Sequence, residues 1–173
     1  MSTIRTFGTL ILLAFAGGLA APVAHADAPA DQPAASAPAA KSTPQQVTLP
    51  TGKTIDAHKF VSPPEGSIEF AIIASMKMIK AGSFDAWIAK YCDPGTCPDA
   101  KANDALKTYQ LKSSSKTVHE CMTDDGGIVV TKREASQADG TTRVYVFCGP
   151  NRMPAPASLK QTGKKWTMTS FSW

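Results

Sequence analysis

The chain has 173 residues, of which 43% are hydrophobic, and its 18 basic and 14 acidic side chains give a formal net charge of +4 at pH 7. Such a mild charge does not indicate a nucleic-acid partner, and the length allows one globular domain with a single core. We expect no cofactor, because Gly126-Gly127 does not lie between a strand and a helix, as the glycines of a phosphate-binding loop do.

The first 26 residues have the pattern of an export signal. Arg5 gives a positive start, an apolar run extends from Phe7 to Ala21, and Ala24-His25-Ala26 provides small residues for signal peptidase. We therefore predict a signal peptide over residues 1–26 and a periplasmic or secreted protein. The apolar run is shorter than the roughly 20 residues of a transmembrane helix, and no second candidate follows, so we expect no membrane span in the mature chain.

Residues 27–46 consist largely of Ala, Pro, Ser, Gln and Lys and contain little that could be buried. This composition predicts a disordered tether. Residues 47–173 remain as a single domain. Its first segment, Val47 to Ile55, predicts a short edge strand or an extended lead-in.

Three helices are predicted next. The first is capped at Ser62, with Pro63 in the first turn, and carries an apolar stripe before Gly82 ends it. The second begins at Ser83, and the third extends from an Asp99 cap to Leu111, where Ser113-Ser114-Ser115 breaks it. The stripe of the first helix comprises Ile68, Ile72, Met76 and Ile79; the inner face of the second comprises Phe84, Trp87, Ile88 and Tyr91; that of the third comprises Leu106 and Tyr109.

The second half of the chain is rich in strand-forming residues. Runs over residues 117–122, 128–133 and 142–148 are predicted strands, joined at Asp124-Asp125-Gly126-Gly127 and at Ala138-Asp139-Gly140. A short run near Leu159 and a last strand over residues 166–173 follow. Helices first and an antiparallel meander afterwards predict an α+β fold, in which the helices cover one face of the sheet.

The four cysteines predict two disulfides, because an even number in an exported protein favours a disulfide framework. The turn between Cys92 and Cys97 makes a local bridge easy, which leaves Cys121 for Cys148. Cysteines on the outer strands of a three-strand meander would lie about 9.6 Å apart, beyond the roughly 7 Å that a disulfide allows between Cα atoms. Pairing of the loop cysteines with the strand cysteines therefore stays open. The chain lacks a Cys-x-x-Cys motif, so we expect no metal site.

Two segments resemble a known superfamily. Helices that meet at Lys80-Ala81-Gly82-Ser83-Phe84-Asp85-Ala86-Trp87, and a chain that closes with Gly163-Lys164-Lys165-Trp166-Thr167-Met168, resemble the exported members of the NTF2-like (cystatin-like, SnoaL-like) superfamily. The resemblance covers about residues 63–173 and implies a cone, with a pocket between the N-terminal helices and a curved antiparallel sheet. It implies no activity, because this superfamily includes enzymes, binding proteins and structural domains. The Cys92–Cys97 loop and the lack of a polar pocket set depart from the pattern.

Six side chains are candidates to line such a pocket, although a core of this size would use the same aromatic residues. They are Trp87, Tyr91, Tyr109, His119, Phe147 and Trp166. If Cys121 points inward on a strand, His119 does too, and it could meet Asp85 as a general base and its acid. Two adjacent acids at Asp124-Asp125 predict a turn and not a calcium loop.

The sequence leaves three classes of function open. The first is a non-catalytic binding or interaction module for a small apolar ligand or an envelope protein. The second is a small hydrolase-like or isomerase-like enzyme centred on His119, and the third is a structural envelope protein. The segment 151–173 carries Arg152, Lys160, Lys164 and Lys165 and no acid, which is typical of a solvated turn or a weak docking patch for an anionic surface.

Overall fold

The structure is a computed structural model that describes residues 40–135 and 138–173. The predicted signal peptide, and the predicted tether through residue 39, lie outside the described residues. Strand β1 (Thr43–Thr48) forms an antiparallel hairpin with strand β2 (Thr54–Phe60). The tether prediction is wrong for residues 43–46, because they pair with β2 residues from Lys59 to Asp56. Their polar side chains are compatible with an edge strand, so composition alone did not reveal it.

Helix α1 (Ile68–Lys80) is capped by Ser67 and not, as predicted, by Ser62. The Ser67 hydroxyl accepts a hydrogen bond from the Phe70 N–H at 3.2 Å and donates one to the Pro64 carbonyl at 2.8 Å. Gly66 has a φ of +86°, which no helical residue adopts, so the helix cannot begin before it. The predicted stripe of isoleucines and methionine is confirmed as the buried face, and the helix ends at Gly82 as predicted.

Helix α2 (Phe84–Tyr91) follows as predicted, and the Asp99 carboxylate caps α3 (Ala100–Ala105) by accepting from the Ala102 N–H at 2.8 Å. The chain then stays helical. A π-helical turn (Leu106–Leu111), α4 (Lys112–Thr117) and a 3₁₀ turn (Val118–Cys121) continue it. The predicted break at residues 113–115 and the predicted strand over 117–122 are wrong, because burial of Leu111, Ser114 and Val118 fixes this segment as helix despite its weak helix propensity.

The remaining strands are β3 (Ile128–Glu134), β4 (Thr141–Val146), β5 (Ala155–Thr162) and β6 (Lys165–Phe171). Within the described part of the chain they form, with the first hairpin, an open six-stranded antiparallel sheet in sequential order. The predicted turns at Gly140 and Gly163 are confirmed, and both glycines have a positive φ. The α+β class is therefore confirmed.

The main core contains one face of the sheet together with the buried sides of the helices. Its largest fully buried members include Ile72, Met76 and Trp87 from the helices and Leu159 and Met168 from the strands. A smaller apolar cluster lies on the other face of the sheet, where Phe147 packs against a group made of Val47, Ala57 and Val129.

The cysteines pair as Cys92–Cys97 and Cys121–Cys148, so the predicted connectivity is confirmed. The expected distance problem does not arise, because Cys121 lies in the 3₁₀ turn before β3 and not on a strand. Cys148 lies just beyond the end of β4. The second bridge therefore joins the end of the helical segment to the sheet.

The two edges of the sheet differ. The outer edge of β6 receives hydrogen bonds from the segment between α2 and α3 and from the π-helical turn. The Asp93 N–H donates to the Met168 carbonyl at 2.9 Å, and the Gln110 side-chain amide donates to the Phe171 carbonyl at 3.3 Å. At the opposite edge lies β1, which includes Pro44. No helix in residues 40–135 or 138–173 has the length and apolar character needed to cross a membrane.

Candidate functional site

Trp87, the first of the predicted pocket residues, is a core residue. Its side chain is 1% exposed and packs edge-on against Phe171, with ring centroids 5.6 Å apart. The neighbouring cavity, lined by Leu106 and Met168 among others, holds only about 70 Å³. This is well below the roughly 300 Å³ at which small-molecule sites begin. Trp87 therefore stabilises the fold and is not positioned to contact a ligand of useful size.

Among the described residues, Tyr109 and Phe147 do not line a cavity together with the other predicted pocket residues. Tyr109 is 75% exposed, so the prediction of an inward side chain is wrong. The π-helical turn adds a residue to the helical repeat and turns the buried position from Tyr109 to Leu111. Phe147 packs in the small cluster on the opposite face of the sheet.

His119 does not form the predicted acid–base pair with Asp85. It is exposed in the 3₁₀ turn, so the argument from strand alternation does not apply to it. Asp85 instead pairs with Lys107, whose Nζ lies 3.1 Å from the carboxylate. In the described part of the chain no observation favours general-base chemistry at His119.

Tyr91 and Trp166 are the two predicted pocket residues that the fold brings together. They line a cleft of about 240 Å³ between the start of α1, the end of α2 and the β5–β6 turn, and Phe70 completes its apolar wall. The Trp166 indole N–H donates to the Gly66 carbonyl at 3.0 Å, which fixes the ring against the first turn of α1. A Cβ at Gly66 would lie 3.7 Å from the Lys164 carbonyl, so this turn packs closely there.

The rim of this cleft is cationic. Lys90, Lys164 and Lys165 line it, whereas Glu65 is its one acidic side chain. Within residues 40–135 and 138–173, none of the three lysines forms an ion pair with a carboxylate. Lys90 extends over the ring of Tyr91, with Nζ 5.5 Å from the centroid. We name this surface, made of the three lysines with Phe70, Tyr91 and Trp166, the lysine cleft.

Six of the fourteen other cations in the described part of the chain form ion pairs with carboxylates. On the outer face of the sheet, Lys132 and Tyr145 both contact the Glu134 carboxylate, at 2.6 Å and 3.1 Å. Lys59 pairs with Asp125 at 2.7 Å, and the pKa of Asp125 falls from 3.8 to about 2 because the carboxylate accepts hydrogen bonds from Lys59 and from Thr123. Asp125 therefore belongs to a paired turn, as the sequence predicts, and not to a calcium site.

One buried ion pair was not predicted. Glu69 is 2% exposed on α1 and pairs with Arg133 of β3. Burial lowers the pKa of the Arg133 guanidinium. The pair links the first turn of α1 to the sheet. The sequence did not reveal it, because a single glutamate between apolar helix positions does not indicate a distant partner. No cluster of three or more His, Cys, Asp or Glu side chains within the described ranges could hold a metal ion.

Comparison with known proteins finds no match to a family model, a curated protein or a solved structure. The lysine cleft is therefore the candidate functional site. Sequence reasoning identified Tyr91 and Trp166 but missed Phe70 and Lys90 as their neighbours. Helical periodicity gives no sign of a cleft beside either residue, because the cleft forms only where the β5–β6 turn docks against these helices.

Proposed function

We propose that the protein is an exported, non-catalytic binding module, and that the lysine cleft holds a ligand with an anionic group and an apolar portion. The observation that carries this proposal is the set of three lysines without ion-pair partners in the described chain, around a wall of aromatic side chains. A positive rim over an apolar wall attracts the charge of such a ligand and removes its apolar part from water.

The shape of the cleft favours a small ligand. Its volume of about 240 Å³ is close to the lower limit for small-molecule sites. Tyr91 is 4% exposed, and the Trp166 ring is held by its hydrogen bond to Gly66, so the aromatic wall is preformed. A preformed wall loses little conformational entropy when a ligand binds.

We also propose that the fold belongs to the NTF2-like superfamily. Support comes from the long helix α1 and the short helix α2, which meet at Gly82 with a φ of +70°, and from Trp166, the second residue of the last strand. The space between helices and sheet is occupied by core side chains such as Ile72 and Leu159, both 0% exposed. The proposed ligand therefore binds at the outer end of the helical layer and not inside the cone.

The proposal is tested by titrating the purified protein with naphthalenesulfonate, an anionic aromatic probe, followed by amide chemical shifts and by calorimetry. We expect saturable binding with the largest shifts at Tyr91 and Trp166. Naphthylmethanol, which has the same ring system without the charge, should bind at least about tenfold more weakly, a loss of about 1.4 kcal/mol.

A charge-reversal pair supplies the matched control. Lys164→Glu with Lys165→Glu should weaken naphthalenesulfonate binding by about tenfold and leave naphthylmethanol nearly unchanged. Lys53→Glu with Lys101→Glu makes the same change in net charge at exposed positions that do not line the cleft, and should leave both affinities unchanged. Binding of the sulfonate that is absent, or equally sensitive to both variants, would overturn the proposal.

A further inference from the structure

A second groove adjoins the lysine cleft along the same side of α1. It holds about 270 Å³ and is lined mainly by apolar side chains, including Val61, Pro63, Ile73 and Ala74, with Lys77 at its far end. Phe70 lines both spaces, so the groove and the cleft meet at this ring. We name the second space the α1 groove.

The two spaces form one path along the helix. Ser67, Phe70, Ala74 and Lys77 follow one another at spacings of three or four residues and therefore share one side of α1. Ten residues of helix separate the first from the last, which corresponds to about 15 Å. Both spaces follow one side of this helix, and three of the four lysines that line them lie in the lysine cleft at one end.

From this geometry we propose that the ligand is a single-chain anionic amphiphile, such as a monoacyl carboxylate. Its headgroup lies among Lys90, Lys164 and Lys165, and its chain crosses Phe70 into the α1 groove. The inference rests on the proposed binding function and adds the class of ligand. Charge complementarity selects an anion, because three lysines and one glutamate surround the headgroup end.

The exposure of apolar groups along the path supports this occupant. Val61 is 38% exposed, and it is one of the few large hydrophobic side chains of the described chain that reach this level. A flexible single chain can follow a shallow groove beside a helix, whereas the rings of a compact aromatic ligand would fill the lysine cleft alone. A bilayer would need a broad apolar surface, and Lys77 interrupts the groove on that side.

Chain length is the decisive variable. Each fully buried methylene strengthens binding by about fourfold, and each half-buried one by about twofold. We expect dodecanoate to bind about tenfold more tightly than octanoate, measured by calorimetry below the micellar concentration, and the gain to level off by hexadecanoate. Dodecyltrimethylammonium, with the same chain and the opposite charge, should bind at least about tenfold more weakly than dodecanoate.

Two variants localise the chain. Ala74→Trp fills the α1 groove, and Val61→Ser makes its end more polar without adding volume. Both substitutions should remove most of the increase in affinity from octanoate to dodecanoate and leave the affinity for naphthalenesulfonate unchanged. Ala86→Trp, at an exposed alanine of α2 that lines neither space, is the matched control and should keep the full gain.

The outcomes separate this inference from the proposed function. If naphthalenesulfonate binds at the lysine cleft but affinity does not depend on chain length, the ligand class is wrong and the binding function stands. If no probe binds, both are wrong. A different outcome is that the protein cosediments with vesicles of phosphatidylcholine and phosphatidylglycerol in equal parts and shows no saturable binding of dodecanoate. Its partner would then be a membrane surface and not a free amphiphile, and the inference would be overturned.

Discussion

The helical layer has two sides that use apolar residues differently. On the side that faces the sheet, Ile72, Met76 and Trp87 are almost completely buried and belong to the core. On the other side, Phe70 and Ala74 are only partly buried and line spaces open to solvent. The first set stabilises the fold by complete burial, whereas the second is only partly buried and lies beside lysines without carboxylate partners in the described chain. The exposed parts of these apolar side chains are available for a ligand.

Truncation of one side chain from each side tests this difference most strongly. Trp87→Ala should destabilise the protein by about 3–5 kcal/mol, because it leaves a large cavity in the core. Phe70→Ala should cost less than about 1.5 kcal/mol, because the ring is partly exposed and removes less apolar area from water. Urea unfolding with an unchanged m-value provides the measurement. Equal losses would mean that Phe70 is a core residue, and the comparison would fail.

The disulfides extend the comparison to the ends of the helical segment. Replacement of Cys121 and Cys148 by Ala should cost about 2–4 kcal/mol, because this bridge closes the longer loop and joins the 3₁₀ turn to the sheet. The matched replacement of Cys92 and Cys97 by Ala opens a short loop, since the two cysteines are only five positions apart, and should lower the stability less. Thermal melts measure both variants.

The Cys92–Cys97 pair also lies near the lysine cleft, since Cys92 directly follows Tyr91. We therefore expect removal of this pair to change naphthalenesulfonate affinity more than removal of Cys121–Cys148 does. Peptide mapping without reductant checks the connectivity itself. A peptide that links Cys92 to Cys121 or Cys148 would contradict it.

The smallest expected effect separates a paired lysine from the unpaired ones. The pKa of Asp125 is lowered to about 2 in the folded protein by Lys59, from an ordinary value of 3.8. A lowered carboxyl pKa stabilises the fold above about pH 4, and this stabilisation disappears as the pH falls through about 2. Asp125→Asn should therefore be less stable than the wild type near neutral pH, and the difference should shrink as the pH falls through about 2 and vanish below it.

Urea unfolding across this pH range measures the difference in stability between the wild type and Asp125→Asn. Salt should reduce that difference, because the Lys59–Asp125 pair is exposed. Asp124→Asn, at a neighbouring exposed acid without an ion pair in the described chain, is the matched control and should lower stability at neutral pH less than Asp125→Asn does. A constant difference between Asp125→Asn and the wild type from neutral to acid pH would show that Lys59 does not stabilise this turn by charge.

Local signals predicted much of this fold. The turns at Gly140 and Gly163, the stripe of α1 and the Cys92–Cys97 bridge follow from spacing and from residues with few allowed conformations, whereas Cys121–Cys148 follows only by elimination. The segment 113–121 was predicted wrongly because serines and β-branched residues favour breaks and strands locally, and burial of Leu111 and Val118 overrode that preference. The sequence predicts Ser62 as the cap of α1 because the left-handed conformation of Gly66 cannot be read from its neighbours.

The candidate site was only half predictable for a related reason. Tyr91 and Trp166 stood out as aromatic residues at inward positions. Phe70 and Lys90 line the lysine cleft because residues 164–166, at least 74 positions later in the chain, pack beside them. The periodicity of a helix carries no information about such a contact between distant segments. The pair Glu69–Arg133 is also a contact between distant segments, and it too left no local pattern.

The unequal edges of the sheet affect how the protein behaves at high concentration. The β6 edge already receives hydrogen bonds from Asp93 and Gln110, so another chain finds few free backbone groups there. On β1, Pro44 has no N–H to offer a seventh strand, a device that natural sheets use against aggregation. Each edge thus discourages the growth of fibrils by a different means, and the protein gains kinetic solubility from both.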